Sequence, residues 1–256
     1  MPGWLAWMSP AATPAHIKRS AILIGCAITA LALWPTSRLR FRPAPDPEKK
    51  SYRLNPFLLR FLPAIAVWSL VTGAFSPFAS VYFAQHLRMP VAHIGTIFSA
   101  SQLSQVIAIL AAPLIFRKFG LVTGIMYTQI ATAVALGCLS LVPGAASAAL
   151  VYVSFMAFQW MSEPGMYSLL MTEVTPAERT GASALNFLVI SVAQAVAALA
   201  AGNSFARFGY PAVLVVVAAA ALMAAILFRL LLGNSVSAGS YQTHMQIGET
   251  DVEPIS

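Results

Sequence analysis

The sequence predicts an all-α, polytopic membrane fold of about seven transmembrane helices, six of them arranged as two inverted three-helix repeats. Three observations carry this. The chain is far too apolar for a water-exposed surface: of 256 residues, 59% are hydrophobic and 9% charged, with a mean hydropathy of +0.76, whereas ordinary soluble domains are about a quarter charged. Its uncharged stretches recur at the length that spans hydrocarbon, roughly 20 residues. Finally, the chain contains a faint copy of itself 89 residues further on. Gln105 to Gly120 reads QVIAILAAPLIFRKFG and Gln194 to Gly209 reads QAVAALAAGNSFARFG, with eight of sixteen positions identical and Lys118 matched by Arg207. Repeats of helical units this long in so apolar a chain are a signature of secondary transporters.

Residues 1–19 contain Trp4 and Trp7 but no charged n-region leading into an apolar core and cleavage site. They read as an interfacial N-terminal segment, not a signal peptide. Residues 20–35 hold the short apolar stretch Ala21–Trp34, flanked by Lys18-Arg19 and Arg38-Leu39-Arg40, whose long side chains can snorkel to the interface. Residues 36–55, with Pro43, Pro45, Pro47 and a mixed charge run, read as a basic cytoplasmic linker. Residues 56–234 form a six-helix domain with spans at Phe61–Gln85, Ile94–Phe116, Leu121–Val142, Ala146–Met171, Thr180–Ala206 and Phe208–Phe228. The connections Leu87–Val91, Arg117–Gly120, Pro143–Ala145 and Asn203–Tyr210 are short, so successive helices are antiparallel neighbours. Residues 235–256 lose the apolar pattern and end on Glu249, Asp251 and Glu253, which reads as a disordered cytoplasmic tail.

The net charge of +7 does not imply nucleic-acid binding, because the basic residues lie in the connections and follow the positive-inside rule. With the 36–55 linker in the cytoplasm, eleven Lys and Arg residues fall inside and four (Lys18, Arg19, Arg88 and Arg207) outside. Seven spans then place the N-terminus outside and the C-terminus inside. An outside N-terminus without a signal peptide, and an odd number of spans, suggest the second part of a longer protein or a truncated gene product. Cys26 and Cys138 lie within spans as small apolar residues. The four histidines are scattered outside the spans, no phosphate-binding loop occurs, and no catalytic triad or paired carboxylates appear. Neither an enzyme nor a cofactor or metal site is expected.

Polar residues cluster on particular helix faces. Trp68, Thr72, Ser76 and Ser80 recur every four residues and share one face. Ser101, Gln102 and Gln105 mark a second helix, and Ser183, Asn186 and Gln194 a third. Such side chains could simply bond neighbouring helices, an interaction worth about 1 kcal/mol or less. Glu163 is the one acidic side chain inside a span, roughly 12 Å from its cytoplasmic end at 1.5 Å per residue. A carboxylate there costs several kcal/mol unless it is protonated, paired or wetted. Gln159, Glu163, Met166 and Tyr167 are expected on one face, with Trp160 alongside. Pro164-Gly165 predicts a kinked or broken helix. A carboxyl at a helix break suits substrate binding or proton coupling; the alternative is a protonated structural plug.

One helix, a basic linker and six helices resemble the sixth to twelfth helices of the major facilitator superfamily. Pro113-Leu-Ile-Phe-Arg117-Lys118-Phe119-Gly120 is similar to a degraded G-x-L-x-D-R-x-G-type motif at the junction of helices 8 and 9, with Arg117 where the acid would stand. Gly202-Asn-Ser-Phe-Ala-Arg207-Phe208-Gly209 is similar to the matching junction of helices 11 and 12, and Glu173 to Gly181 resembles the link between helices 10 and 11. The resemblance implies helices 7, 8, 10 and 11 around a central cavity and helices 6, 9 and 12 at the periphery. It implies gating roles for Arg117, Lys118, Gly120, Arg179, Arg207 and Gly209. The implied activity is secondary active transport of a small molecule in a bacterial inner membrane. Glu163 would take up or release the proton, and an apolar and aromatic lining with one acid and no intramembrane base leans towards export of an amphipathic or cationic molecule. The partners are then substrate, protons, the lipid bilayer and the missing N-terminal half. A non-transporting receptor or scaffold with the same fold is the alternative.

Overall fold

The computed structural model describes residues 23–27, 29–31, 38 and 55–250, with side chains through 233. The interfacial segment 1–19 and nearly all of the linker lie outside these residues. Of the expected helix at 20–35, residues 23–27 and 29–31 are helical and exposed.

Helix α1, Pro56–Phe75, starts five residues ahead of the apolar stretch because Asn55 accepts a bond from the Phe57 amide and Pro56 occupies the first turn, an arrangement suited to a helix start. At Ser76-Pro77 the helix loses its regularity. It tightens to a 3-10 turn over Ser76–Phe78, resumes over Ala79–Val81 and widens to a π-turn over Tyr82–His86. Arg88, at φ 51°, then turns the chain. Helix α2 is Val91–Phe119, α3 Leu121–Leu141 and α4 Ala145–Glu173. Helix α5, Arg179–Thr250, bends at Gly209 into limbs 179–208 and 210–250. Five helices are long and apolar enough to cross a membrane among the described residues, and the bend makes the fifth into two spans.

The structure corrects several expectations. The connections Arg117–Gly120 and Asn203–Tyr210 each shrink to one residue, Gly120 (φ 80°, ψ 161°) and Gly209 (φ 76°, ψ 168°). Helix α4 is not broken at Pro164 but helical throughout. A proline removes one intrahelical bond, and in a bundle neighbouring helices hold the rest in place; Gly165 sits tightly against Phe116 of α2 and Ile125 of α3. The broken helix is α1, at Pro77. The helical backbone also continues to Thr250, past residue 235 where composition predicts an irregular tail, since no proline intervenes between Pro211 and Pro254.

Helix α1 packs along α5, α2 against α4, and α3 against both α4 and α5. The centre is aromatic: Phe75 meets Tyr82, Tyr152 and Phe155 edge-on at 5.8, 6.2 and 5.7 Å, each pair worth about 0.5–1.5 kcal/mol beyond its burial. Small residues allow the closest crossings, as is usual between membrane helices. At Gly73 a Cβ would stand 2.5 Å from the Gln194 Cα. Ala108 and Ala112 of α2 pack with Met161 of α4, and their repeat counterparts Ala197 and Ala201 are also buried.

The most apolar window of α2 is 28% buried against 50% for α3, so the helix expected at the periphery is the better covered. Helix α3 backs onto two neighbours and buries Thr128, Gln129 and Thr132. Helix α2 turns Leu103, Val106, Ile107, Leu110 and Leu114 outward.

Candidate functional site

Polar side chains of α1 meet those of α4 and α5. Trp68 of α1 is fully buried, and its indole N–H forms no well-aligned hydrogen bond. It nevertheless lies close enough to the Glu163 carboxyl of α4 to interact with its charge. One turn before Glu163, the Gln159 side-chain oxygen is buried without a partner, while the Ser162 hydroxyl donates to the Gln159 carbonyl at 2.7 Å. Thr72, one turn along α1 from Trp68, donates to the Ser69 carbonyl and accepts from the Gln194 amide of α5, both at 3.2 Å.

Further buried polar atoms lack a partner within the protein: Ser76 Oγ, Gln105 Nε2 and Asn186 Oδ1. An unsatisfied buried polar group costs about 1–3 kcal/mol, and natural folds keep few of them. With Trp68 and Gln159 they fall on α1, α2, α4 and α5, and Gln129 adds two on α3. The Trp68–Glu163 and Thr72–Gln194 contacts single out the facing sides of α1, α4 and α5 as the candidate site. Chemically it offers one ionisable oxygen pair, an indole and amide N–H as donors, and amide and hydroxyl oxygens as acceptors.

Other expected members stand apart. Trp160 and Tyr167 are 40% and 44% exposed, so Tyr167 leaves the face on which Gln159 and Met166 are buried. Gln102 is exposed, as is Gln194 apart from its bonded amide. Gln129 is the residue that sequence reasoning passed over. It is fully buried on α3 with neither side-chain polar atom partnered, and its signal was an amide between Thr128 and Thr132 near the middle of the helix.

The expected gating residues separate to the two ends of the bundle. Arg117, Lys118, Gly120 and Arg179 lie at one end and Arg207 and Gly209 at the other, because each helix reverses the chain. Lys118 Nζ lies 5.3 Å over the Phe119 ring. The link from α4 to α5 is tied by the Thr175 hydroxyl donating to the Glu178 carboxylate at 2.9 Å. At the other end Phe205 stacks on Tyr210 at 4.7 Å, and Tyr210 meets Tyr82 and His86. Cys26 and Cys138 are free. Among the described residues, no group of three or more His, Cys, Asp and Glu side chains could hold a metal ion.

The fold is similar to the crystal structure of a bacterial homologue of the iron transporter ferroportin in its outward-facing state, with a TM-score of 0.59 and 17% identity over 75% of this chain and 50% of that one. A structure of such a homologue with soaked iron, also outward-facing, gives a TM-score of 0.57 and 19% identity over 69% of this chain and 46% of that one. The chain therefore spans about half the length of the structures it matches. No family model matches the sequence, and no curated protein does. The described residues form an all-α, multi-pass membrane fold of the kind used by transporters.

Proposed function

We propose that this chain is one half of a secondary active transporter of the major facilitator type, exporting an amphipathic or cationic small molecule across a bacterial inner membrane in exchange for protons. The observation that carries this reading is Glu163 beside Trp68, on helices that hold further unpartnered buried polar atoms. The donors and acceptors around Glu163 are neutral, so the site balances one positive charge at a time. A proton and a monovalent cation then compete for the same carboxylate, which is the requirement for exchange; the single charge does not favour iron, which was soaked into one of the structural neighbours. Alternating access follows if the two ends of the bundle open in turn, with Arg117, Lys118 and Arg179 at one and Arg207 at the other. The partner half would cover the outward faces of α2 and limb 179–208, where Leu103, Leu110, Leu188 and Leu199 are exposed.

The test is Glu163→Gln in the complete protein, reconstituted in proteoliposomes. Glutamine keeps the size and the neutral hydrogen bonds but releases no proton. Transport driven by a pH gradient is expected to vanish, with expression and thermal stability nearly unchanged. Normal proton-coupled flux in this variant would sink the proton-carrier role and favour the structural plug. A wild-type protein that binds but moves nothing would favour a receptor or scaffold.

A further inference from the structure

At the Gly209 bend a cavity of about 380 Å³ opens between the two limbs of α5, lined by Ser204, Phe208, Ala212, Val213 and Val216. This lies within the roughly 300–1,000 Å³ of ligand pockets. Phe208, Ala212 and Val216 are exposed, so it opens on the outer face of the bundle and not on the Glu163 band. The lining is aliphatic and aromatic. Its one hydroxyl, Ser204, is already engaged with the Ala200 carbonyl at 2.8 Å.

The internal repeat explains why the cavity exists. The corresponding bend at Gly120 has nearly the same backbone angles, and the five lining positions correspond there to Ile115, Phe119, Thr123, Gly124 and Tyr127. At that bend the Phe119 ring packs edge-on against Tyr127 at 5.3 Å. At the Gly209 bend, Tyr127 is replaced by Val216, Ile115 by Ser204 and Thr123 by Ala212. Three side chains have shrunk and one, Val213 for Gly124, has grown. The slot beside Phe208 is the space that a tyrosine fills in the other repeat.

A slot of this kind, at a helix end and facing the bilayer, can be filled only by hydrocarbon without losing hydrogen bonds. The charge beside it selects the head group. Arg207, exposed, immediately precedes Phe208. Arg88 is exposed at the same end of the bundle, two residues after His86, whose ring meets Tyr210 at 5.4 Å. Arginine binds phosphate well through its planar fork of donors. We infer that an anionic phospholipid docks at the Gly209 bend, with one acyl chain in the Ser204–Phe208–Val216 slot and its phosphate at Arg207. This site does not depend on the transport reading.

Native mass spectrometry of the full chain, incubated with equal concentrations of phosphatidylglycerol or phosphatidylcholine, tests it. The wild type is expected to retain one phosphatidylglycerol after other lipids are stripped, and to prefer it over phosphatidylcholine by about tenfold. The double variant Ser204→Ile/Val216→Tyr, which restores the side chains of the Gly120 bend, should lose that lipid. Val216→Phe alone should weaken retention if the double variant folds poorly. Arg207→Gln should keep a lipid but erase the preference for phosphatidylglycerol. Unchanged retention in the filled variants, equal retention of both lipids by the wild type, or no retained lipid at all would overturn the proposal.

Discussion

The bends at Gly120 and Gly209 have almost the same backbone and very different surroundings. Both glycines adopt φ near 80° with an extended ψ, a region essentially reserved for glycine. Around Gly120 the neighbouring side chains close on one another, Lys118 over Phe119 and Phe119 against Tyr127. Around Gly209, Tyr210 turns into an aromatic cluster with Phe205, Tyr82 and His86, and the outer side is left open. The helix crossings contrast in the same way. Gly73 of α1 touches the backbone at Gln194, whereas its repeat counterpart is Ser162, whose hydroxyl bonds its own helix. Helix geometry is shared between the units because a few small residues fix it; the side chains facing the ends have diverged.

The largest effect should separate the two crossings. In Gly73→Ala the new Cβ would lie 2.5 Å from one backbone atom of Gln194 and 2.7 Å from another, and backbone cannot rotate away as a side chain would. A loss of about 3 kcal/mol is expected, the upper end of overpacking costs. Ser162→Ala removes only a bond to its own helix and should cost about 1 kcal/mol or less. Equal falls in the melting temperature of the two detergent-solubilised variants would mean that the crossings are equally tight.

At the bends the effects should instead match. A Cβ on Gly120 would meet nothing within 4 Å, and one on Gly209 only the Pro211 Cδ at 3.9 Å. Space is available at both, so only the backbone conformation resists substitution. Gly120→Ala and Gly209→Ala should each lose about 2 kcal/mol, within the usual range for such strain. Denaturant titration giving clearly unequal losses would break the equivalence of the bends.

Much of this was legible in the sequence because it rests on local rules. Apolar length marked the spans, and the repeated F-x-[KR]-F-G endings marked both bends, since only glycine tolerates the required conformation. Glu163 stood out because charge is scarce within spans. The fate of the prolines was not legible: Pro164 sits in a helix held by Phe116 and Ile125 at Gly165, and Pro77 in one that gives way. Helical periodicity put Tyr167 on the Glu163 face, but which arc of that face is covered depends on how α4 docks. The burial of Gln129 was not legible either, because it is a property of α3 packing on α4 and α5.

The smallest prediction concerns Gln105 and Gln194, which occupy equivalent places in the repeat and should respond with opposite signs. Gln194 donates to Thr72 across the α1–α5 crossing at 3.2 Å. Measured bonds of this type between membrane helices average about 0.6 kcal/mol. Gln194→Met should lose about that much, and the loss should disappear when Thr72 is already valine, a coupling that a double-mutant cycle reads directly. Gln105 is buried, and its amide nitrogen has no partner within the protein. Gln105→Met keeps the volume and removes an unsatisfied donor, so it should gain about 1 kcal/mol. If both variants lose stability, Gln105 has a partner that the buried band supplies in solution, and the two repeats use their glutamines alike. A gain at 105 with a loss at 194 would assign Gln194 to holding helices together and leave Gln105 available to the transport path.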